Sequence, residues 1–198
     1  LLQLANALYP LIEETKPLEE ILGRFAATYE QQWQQMMANK LGLATFDEGL
    51  TNRLLKLLTE TETDMTLFFR LLADVKDPET DADRLIEAYY TPNQISQDTQ
   101  RQTQQWLTDY LTLAQQQGGS HQQRAETMNA TNPLYVPRNY LAQLAIDDAE
   151  GGDFKRLNQW MRVLEQPYQQ QAGMDEFAAK RPDWARNRSG CSMLSCSS

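Results

Sequence analysis

Sulfur and imidazole are scarce in this sequence. Of its 198 residues only two are cysteine, Cys191 and Cys196, both within the last eight positions, and only one is histidine, His121. Two cysteines five positions apart make no disulfide framework. With one histidine far away they lack the paired-ligand spacing of a zinc site, and no Cys-His nucleophile pair is evident. No apolar run approaches the roughly 20 residues that cross a bilayer. Residues 1–12 carry no basic flank of the kind that opens a secretory signal. A cytoplasmic protein with no membrane partner is expected. Basic windows are missing as well: 27 acidic residues face 18 basic ones, a formal charge of −9, so nucleic acid is not an expected partner. The nine glycines are scattered or paired at helix ends. They form no phosphate loop or dinucleotide fingerprint, and neither a His-Arg-Asp nor an Asp-Phe-Gly triplet of the protein kinases occurs. Valine and isoleucine are few.

What is there favours helix. Leu, Gln, Ala and Glu dominate, and their unbranched side chains lose little rotamer freedom in a helix. Leu1, Leu4, Leu8 and Leu11 form a short stripe that is expected to stop near Pro10. Pro17 suits the first turn of a second helix, on which Leu18, Ile21, Leu22, Phe25, Tyr29, Trp33, Met36 and Met37 recur at three- and four-residue spacing and predict one buried face. Thr45 to Glu48 has capping-box spacing before Leu50, Leu54, Leu57 and Leu58. Residues 61–64 break the chain ahead of Met65, Phe68, Phe69, Leu72 and Val75, and the two apolar helices are expected to pair as an αα-hairpin. A short helix carries Leu85 and Tyr89. A long one, residues 95–117, is polar before Trp106, and residues 120–130 read as weakly helical. Asn132 to Pro137 is extended, because residues before proline avoid the helical region. Two further helices follow, one bearing Tyr140, Leu141 and Leu144, the other Phe154, Leu157, Trp160 and Met161. Trp106, Trp160, Met36 and Met161 are expected in the core. The whole reads as all-α, with residues 1–185 one helical domain and 186–198 a flexible tail. The chain starts with Leu-Leu already in helical pattern, the expectation for a fragment or processed form.

The chemistry-bearing groups are modest. Asp77, Glu79, Asp81 and Asp83 alternate as calcium ligands do, yet Ala82 and Ala88 stand where the loop needs glycine and a bidentate glutamate, so a solvated turn is expected. Asp147, Asp148, Glu150 and Asp153 crowd a helix junction that reads as capped and solvated. His121 is expected to be exposed. In the proline-rich turn, either Asn132 starts the turn and Arg138 pairs with an acid, or Arg138 and Asn139 face an adjoining domain. A tail thiol is not expected in a core, and Cys196 has no adjacent basic residue that would activate it.

Asn132-Pro-Leu-Tyr-Val-Pro-Arg-Asn-Tyr-Leu141, then Gly152-Asp-Phe154, Pro167-Tyr168, Arg181-Pro-Asp-Trp184 and a terminal Cys196-Ser-Ser198 resemble the C-terminal part of the selenoprotein O family. The match in order and spacing covers about the last third of the chain. Members with selenocysteine carry it at the position matched by Cys196. The resemblance implies an irregular multi-helix assembly: the C-terminal part of a kinase-like large lobe plus a helical extension. It implies a parent enzyme that transfers AMP from ATP, with Mg²⁺, to Ser, Thr or Tyr hydroxyls of protein substrates. It also implies a redox role for Cys196, with a partner cysteine nearer the active site and Cys191 as a local substitute. No ATP-binding, Mg²⁺-binding or catalytic residue is carried over to this segment. Its expected partners are a missing N-terminal kinase-like region and the parent's protein substrates. The competing readings are a free-standing helical interaction module and, more weakly, a thiol oxidoreductase.

Overall fold

The structure, a computed structural model, describes residues 1–188, 190 and 191. Its described residues form α-helices joined by short turns: α1 (Leu2–Ile12), α2 (Lys16–Lys40), α3 (Glu48–Glu60), α4 (Met65–Asp74), α5 (Ala82–Ile86), α6 (Gln97–Gln116), α7 (His121–Thr131), α8 (Asn139–Glu150) and α9 (Lys155–Glu165). The expected all-α class holds; pairing of extended backbone among the described residues is confined to one isolated bridge, Thr63 to Tyr89.

The larger of two hydrophobic clusters is built by α3 to α7 and the end of α2. Leucines at 50, 54, 57 and 58 give α3 one apolar stripe, and it meets Trp106, Leu107, Tyr110 and Ala114 on α6. Trp106 and Tyr110 stack at 5.1 Å with their planes 6° apart. Both polar tips are satisfied: the indole donates to the Leu50 carbonyl at 2.9 Å and the phenol to the Leu41 carbonyl at 2.8 Å. Burial pushes the Tyr110 phenol up to about 12, although Arg124 pulls the other way, so it remains a donor at neutral pH. On α4, Phe68, Phe69, Leu72 and Ala73 pack toward α7 and α5. The expected α3–α4 hairpin is therefore replaced by pairings with helices distant in sequence, α3 on α6 and α4 on α7.

Helix α7 is better formed than its polar sequence implies. Ser120 and Gln123 make a reciprocal capping box, and the buried stripe is Arg124 with Met128. Arg124 donates to the Val75 carbonyl and lies over the Tyr110 ring, 5.3 Å from its centroid. Gly42 lets α7 come this close. Its φ is +61°, and a Cβ there would sit 2.6 Å from Cγ of Arg124 and 2.9 Å from Cγ of Met128.

The second cluster joins α8 to α9. Tyr140, Leu141 and Ala145 meet Trp160 and Val163, and Phe177, Ala185 and Cys191 close it from the C-terminal segment. The junction between the clusters is largely polar. Lys40 and Asn132 exchange two hydrogen bonds of 2.8 Å, side chain to side chain and side chain to carbonyl. Arg70 donates to the carbonyls of Asn129, Asn132 and Tyr168 at 3.2 Å each. Lys180 donates to the carbonyls of Glu87 and Tyr89. Such groups anchor a turn that hydrophobic contact alone would leave free to slide.

Local expectations change in four places. Helix α1 runs through Pro10 and ends at Glu13, whose φ is +59°; near a C-terminus proline costs one hydrogen bond instead of a whole helix. The α3 cap is Asp47, which accepts from the Leu50 amide at 2.7 Å, while Thr45 bonds to the Gln117 side chain. Met161 and Met36 are exposed, not core residues. The predicted buried face of α2 is mostly bare: the buried residues of α2 are Met37 and Ala38, and Ile21, Phe25 and Tyr29 are 57%, 52% and 59% exposed.

Candidate functional site

Where the two clusters meet, a cavity of about 510 Å³ opens between the start of α4 and the start of α8. Its centre is an ion pair between elements 74 residues apart. Asp64, the residue before α4, points into the junction because its side chain caps the helix, accepting from the Leu67 amide at 3.0 Å. Arg138, the residue before α8, donates through Nη1 at 2.5 Å and Nη2 at 3.0 Å to the two Asp64 oxygens. This forked geometry fits a carboxylate. Tyr90 adds its hydroxyl to the same Asp64 oxygen at 3.1 Å. The side chains are 2% and 11% exposed. Burial alone would raise the Asp64 pKa. The Arg138 hydrogen bonds and charge, the Leu67 amide and the Tyr90 hydroxyl outweigh it and hold the carboxyl below its ordinary value.

A second carboxylate, Glu62, gathers two more arginines. Arg181 reaches one oxygen at 2.7 Å and Arg186 the other, and the Arg181 guanidinium covers the Tyr90 ring at 4.7 Å. Cys191 also lines the cavity. It is a free thiol, 4% exposed, which corrects the expectation that the tail thiols lie outside any core. Arg188 bonds to Asp147 at 2.6 Å and lays its guanidinium over the Trp184 ring, and Cys191 packs in one cluster with Tyr140, Leu141 and Ala145 of α8. Cys196 lies outside the described residues.

The other sequence candidates do not converge here. Of the two readings of Arg138, the pairing with an acid holds, the acid lying 74 residues away. Asp81 accepts from the backbone amides of Lys76 and Asp77, and Asp77 from that of Glu79, so these carboxylates order a turn. Asp147 and Asp148 pair with Arg188 and Arg156. Among the described residues, no three His, Cys, Asp or Glu side chains are grouped as metal ligands. His121 is half-buried, not exposed; burial first, then the charge of Arg124, lowers its pKa. Asp64, Glu62 and Tyr90 carried no chemical signal in the sequence beyond a helix break, because their partners are remote.

The arginines at this cavity are already engaged. Phosphates need cations that are free to meet them. Arg138, Arg181 and Arg186 are each engaged by a carboxylate of the same cavity. What the arrangement does is fix the α4 and α8 starts to each other and hold the C-terminal segment against both.

No helix among the described residues is long and apolar enough to cross a membrane. Compared with known proteins, residues 1–165 match the family model described as protein adenylyltransferase SelO. All of the chain is 42% identical to 40% of protein nucleotidyltransferase YdiU from Rhodopirellula baltica. It is 44% identical to 38% of the protein so named from Aromatoleum aromaticum. Against that of Xanthomonas campestris pv. campestris, 99% of the chain is 45% identical to 38% of the relative. The chain thus spans about 40% of the length of these relatives.

Proposed function

The chain belongs to the protein adenylyltransferase SelO family, and from that premise we propose that it is the helical C-terminal region of an enzyme that moves AMP from ATP to Ser, Thr or Tyr hydroxyls of proteins. In this reading the segment supports a kinase-like large lobe and carries a redox tail. ATP and Mg²⁺ are held by the part of the family polypeptide that the chain does not span. The observation that supports this division of labour is the pairing of the cavity's two arginines, Arg138 and Arg181, with Asp64 and Glu62, which turns them toward the fold and away from a ligand. Cys196 is the regulatory thiol of the proposal. Cys191, free and packed in the second cluster, serves the fold, and the redox partner of Cys196 lies outside this chain.

The test uses ATP labelled at the α-phosphate, Mg²⁺ and a general protein substrate. The full-length Aromatoleum aromaticum relative transfers label, this chain alone does not, and γ-labelled ATP gives no signal with either. Transfer by this chain alone at a rate near that of the relative would refute the division. Label from γ-labelled ATP would make the family chemistry here phosphoryl transfer.

A further inference from the structure

Large apolar side chains exposed to solvent are concentrated at one end of the molecule. Of the seventeen among the described residues, eleven lie in residues 1–36. Helix α1 has no buried residue, and it packs chiefly on α2. Between the two helices runs a groove of about 400 Å³ lined by Leu4, Leu8, Leu18, Ile21, Leu22 and Phe25. Tyr29, one turn beyond Phe25 and stacked near it with centroids 6.1 Å apart, extends the face along α2. An eleven-residue helix with no buried face is marginal in water, and an apolar patch this continuous marks a contact surface.

Three kinds of occupant are available: a lipid surface, a second copy, or the rest of the family polypeptide. Interfacial helices that bind lipid carry Lys and Arg on their polar side. Here α1 has no charged residue at all, and the chain is acidic. A second copy must compete at its own concentration. In the relatives this helical pair sits inside a polypeptide about two and a half times as long, and a covalently tethered partner acts at roughly millimolar effective concentration.

We propose that the α1–α2 face seats the portion of the family polypeptide that this chain does not span, through an apolar and weakly charged surface on that portion. The identity of the occupant rests on the proposed function; the existence of the seat does not.

Hydrogen exchange tests it. Peptides covering residues 2–12 and 16–33 are followed in this chain alone, and the matching peptides in the full-length Aromatoleum aromaticum relative. In the relative they should exchange about a hundredfold more slowly, as core helices do compared with frayed ones. Equal rates would overturn the proposal. So would protection in this chain that rises with its concentration and is abolished by Phe25→Asp, because a second copy would then be the occupant. Phe25→Asp should leave the thermal midpoint of the isolated chain unchanged; a clear drop would place Phe25 in the chain's own core and also overturn the seat. Protection in a relative that transfers no AMP would leave this proposal standing and sink only the function.

Discussion

Replacing Asp64 by asparagine isolates the charge at the junction. Asparagine caps a helix as well as aspartate, so the bond from the Leu67 amide to Oδ1 survives, while an amide nitrogen replaces the oxygen that accepted from Tyr90 and the hydroxyl turns to accept from it. What is lost is the negative partner of Arg138, whose side chain is only 11% exposed. An uncompensated buried charge costs about 3–5 kcal/mol. A chain of this length loses about 2–4 °C of thermal midpoint per kcal/mol. Taking about 4 kcal/mol, the midpoint of Asp64→Asn should fall by about 8–16 °C. Asp64→Ala should lose about 1 kcal/mol more, because the cap goes too. Adding Arg138→Met to Asp64→Asn should restore at least half of the loss, since removing both charges leaves neither stranded. The sign with pH follows from the depressed Asp64 pKa. The pair's contribution is fully present above the unfolded value near pH 4 and disappears as pH falls through the folded value below it. Wild type and Asp64→Asn should therefore converge in acid. Urea unfolding by circular dichroism across pH 2.5–7 measures all of this. A loss under about 1 kcal/mol at pH 7, or a double variant no more stable than Asp64→Asn, would refute a buried, coupled pair.

Gly42→Ala should destabilise by about 2–4 kcal/mol, combining a left-handed backbone with a Cβ pressed on Arg124 and Met128; a neutral result in calorimetry would mean that α7 is not docked there. In a Cys196→Ser background, Cys191 should react with a thiol reagent much more slowly in the native chain than in urea, because it is buried. Equal rates would place it at the surface.

Much of the helical layout was legible because three- and four-residue spacing reports a stripe wherever it occurs. The stripe does not report what covers it. Ile21, Phe25 and Tyr29 on α2 have the same periodicity as Leu50, Leu54 and Leu57 on α3, yet the first set is bare and the second buried. Capping was half legible. The Thr45–Glu48 spacing puts the start of α3 two residues early, because Asp47 sits in the extended conformation that aims its carboxylate at the Leu50 amide. Arg124 was invisible as a core residue, because its burial depends on the Val75 carbonyl and the Tyr110 ring, neither near in sequence. The junction was least legible of all. Arg138 was singled out for its turn, but nothing local names an aspartate 74 residues away as its partner. The motifs that carry the family resemblance lie at residue 132 and beyond, whereas the family match extends over residues 1–165, most of which are helices with generic apolar spacing.

In the proposed division of labour, the nucleotide site of this family lies outside these 198 residues. Equilibrium dialysis of ATP with Mg²⁺ against this chain tests it most directly, with the full-length relative as reference. Binding should be saturable with the relative and absent with the chain below millimolar ATP. Saturable micromolar binding to the chain, lost in Arg181→Met, would contradict it, because it would put a phosphate site in the cavity whose arginines are assigned here to Asp64 and Glu62.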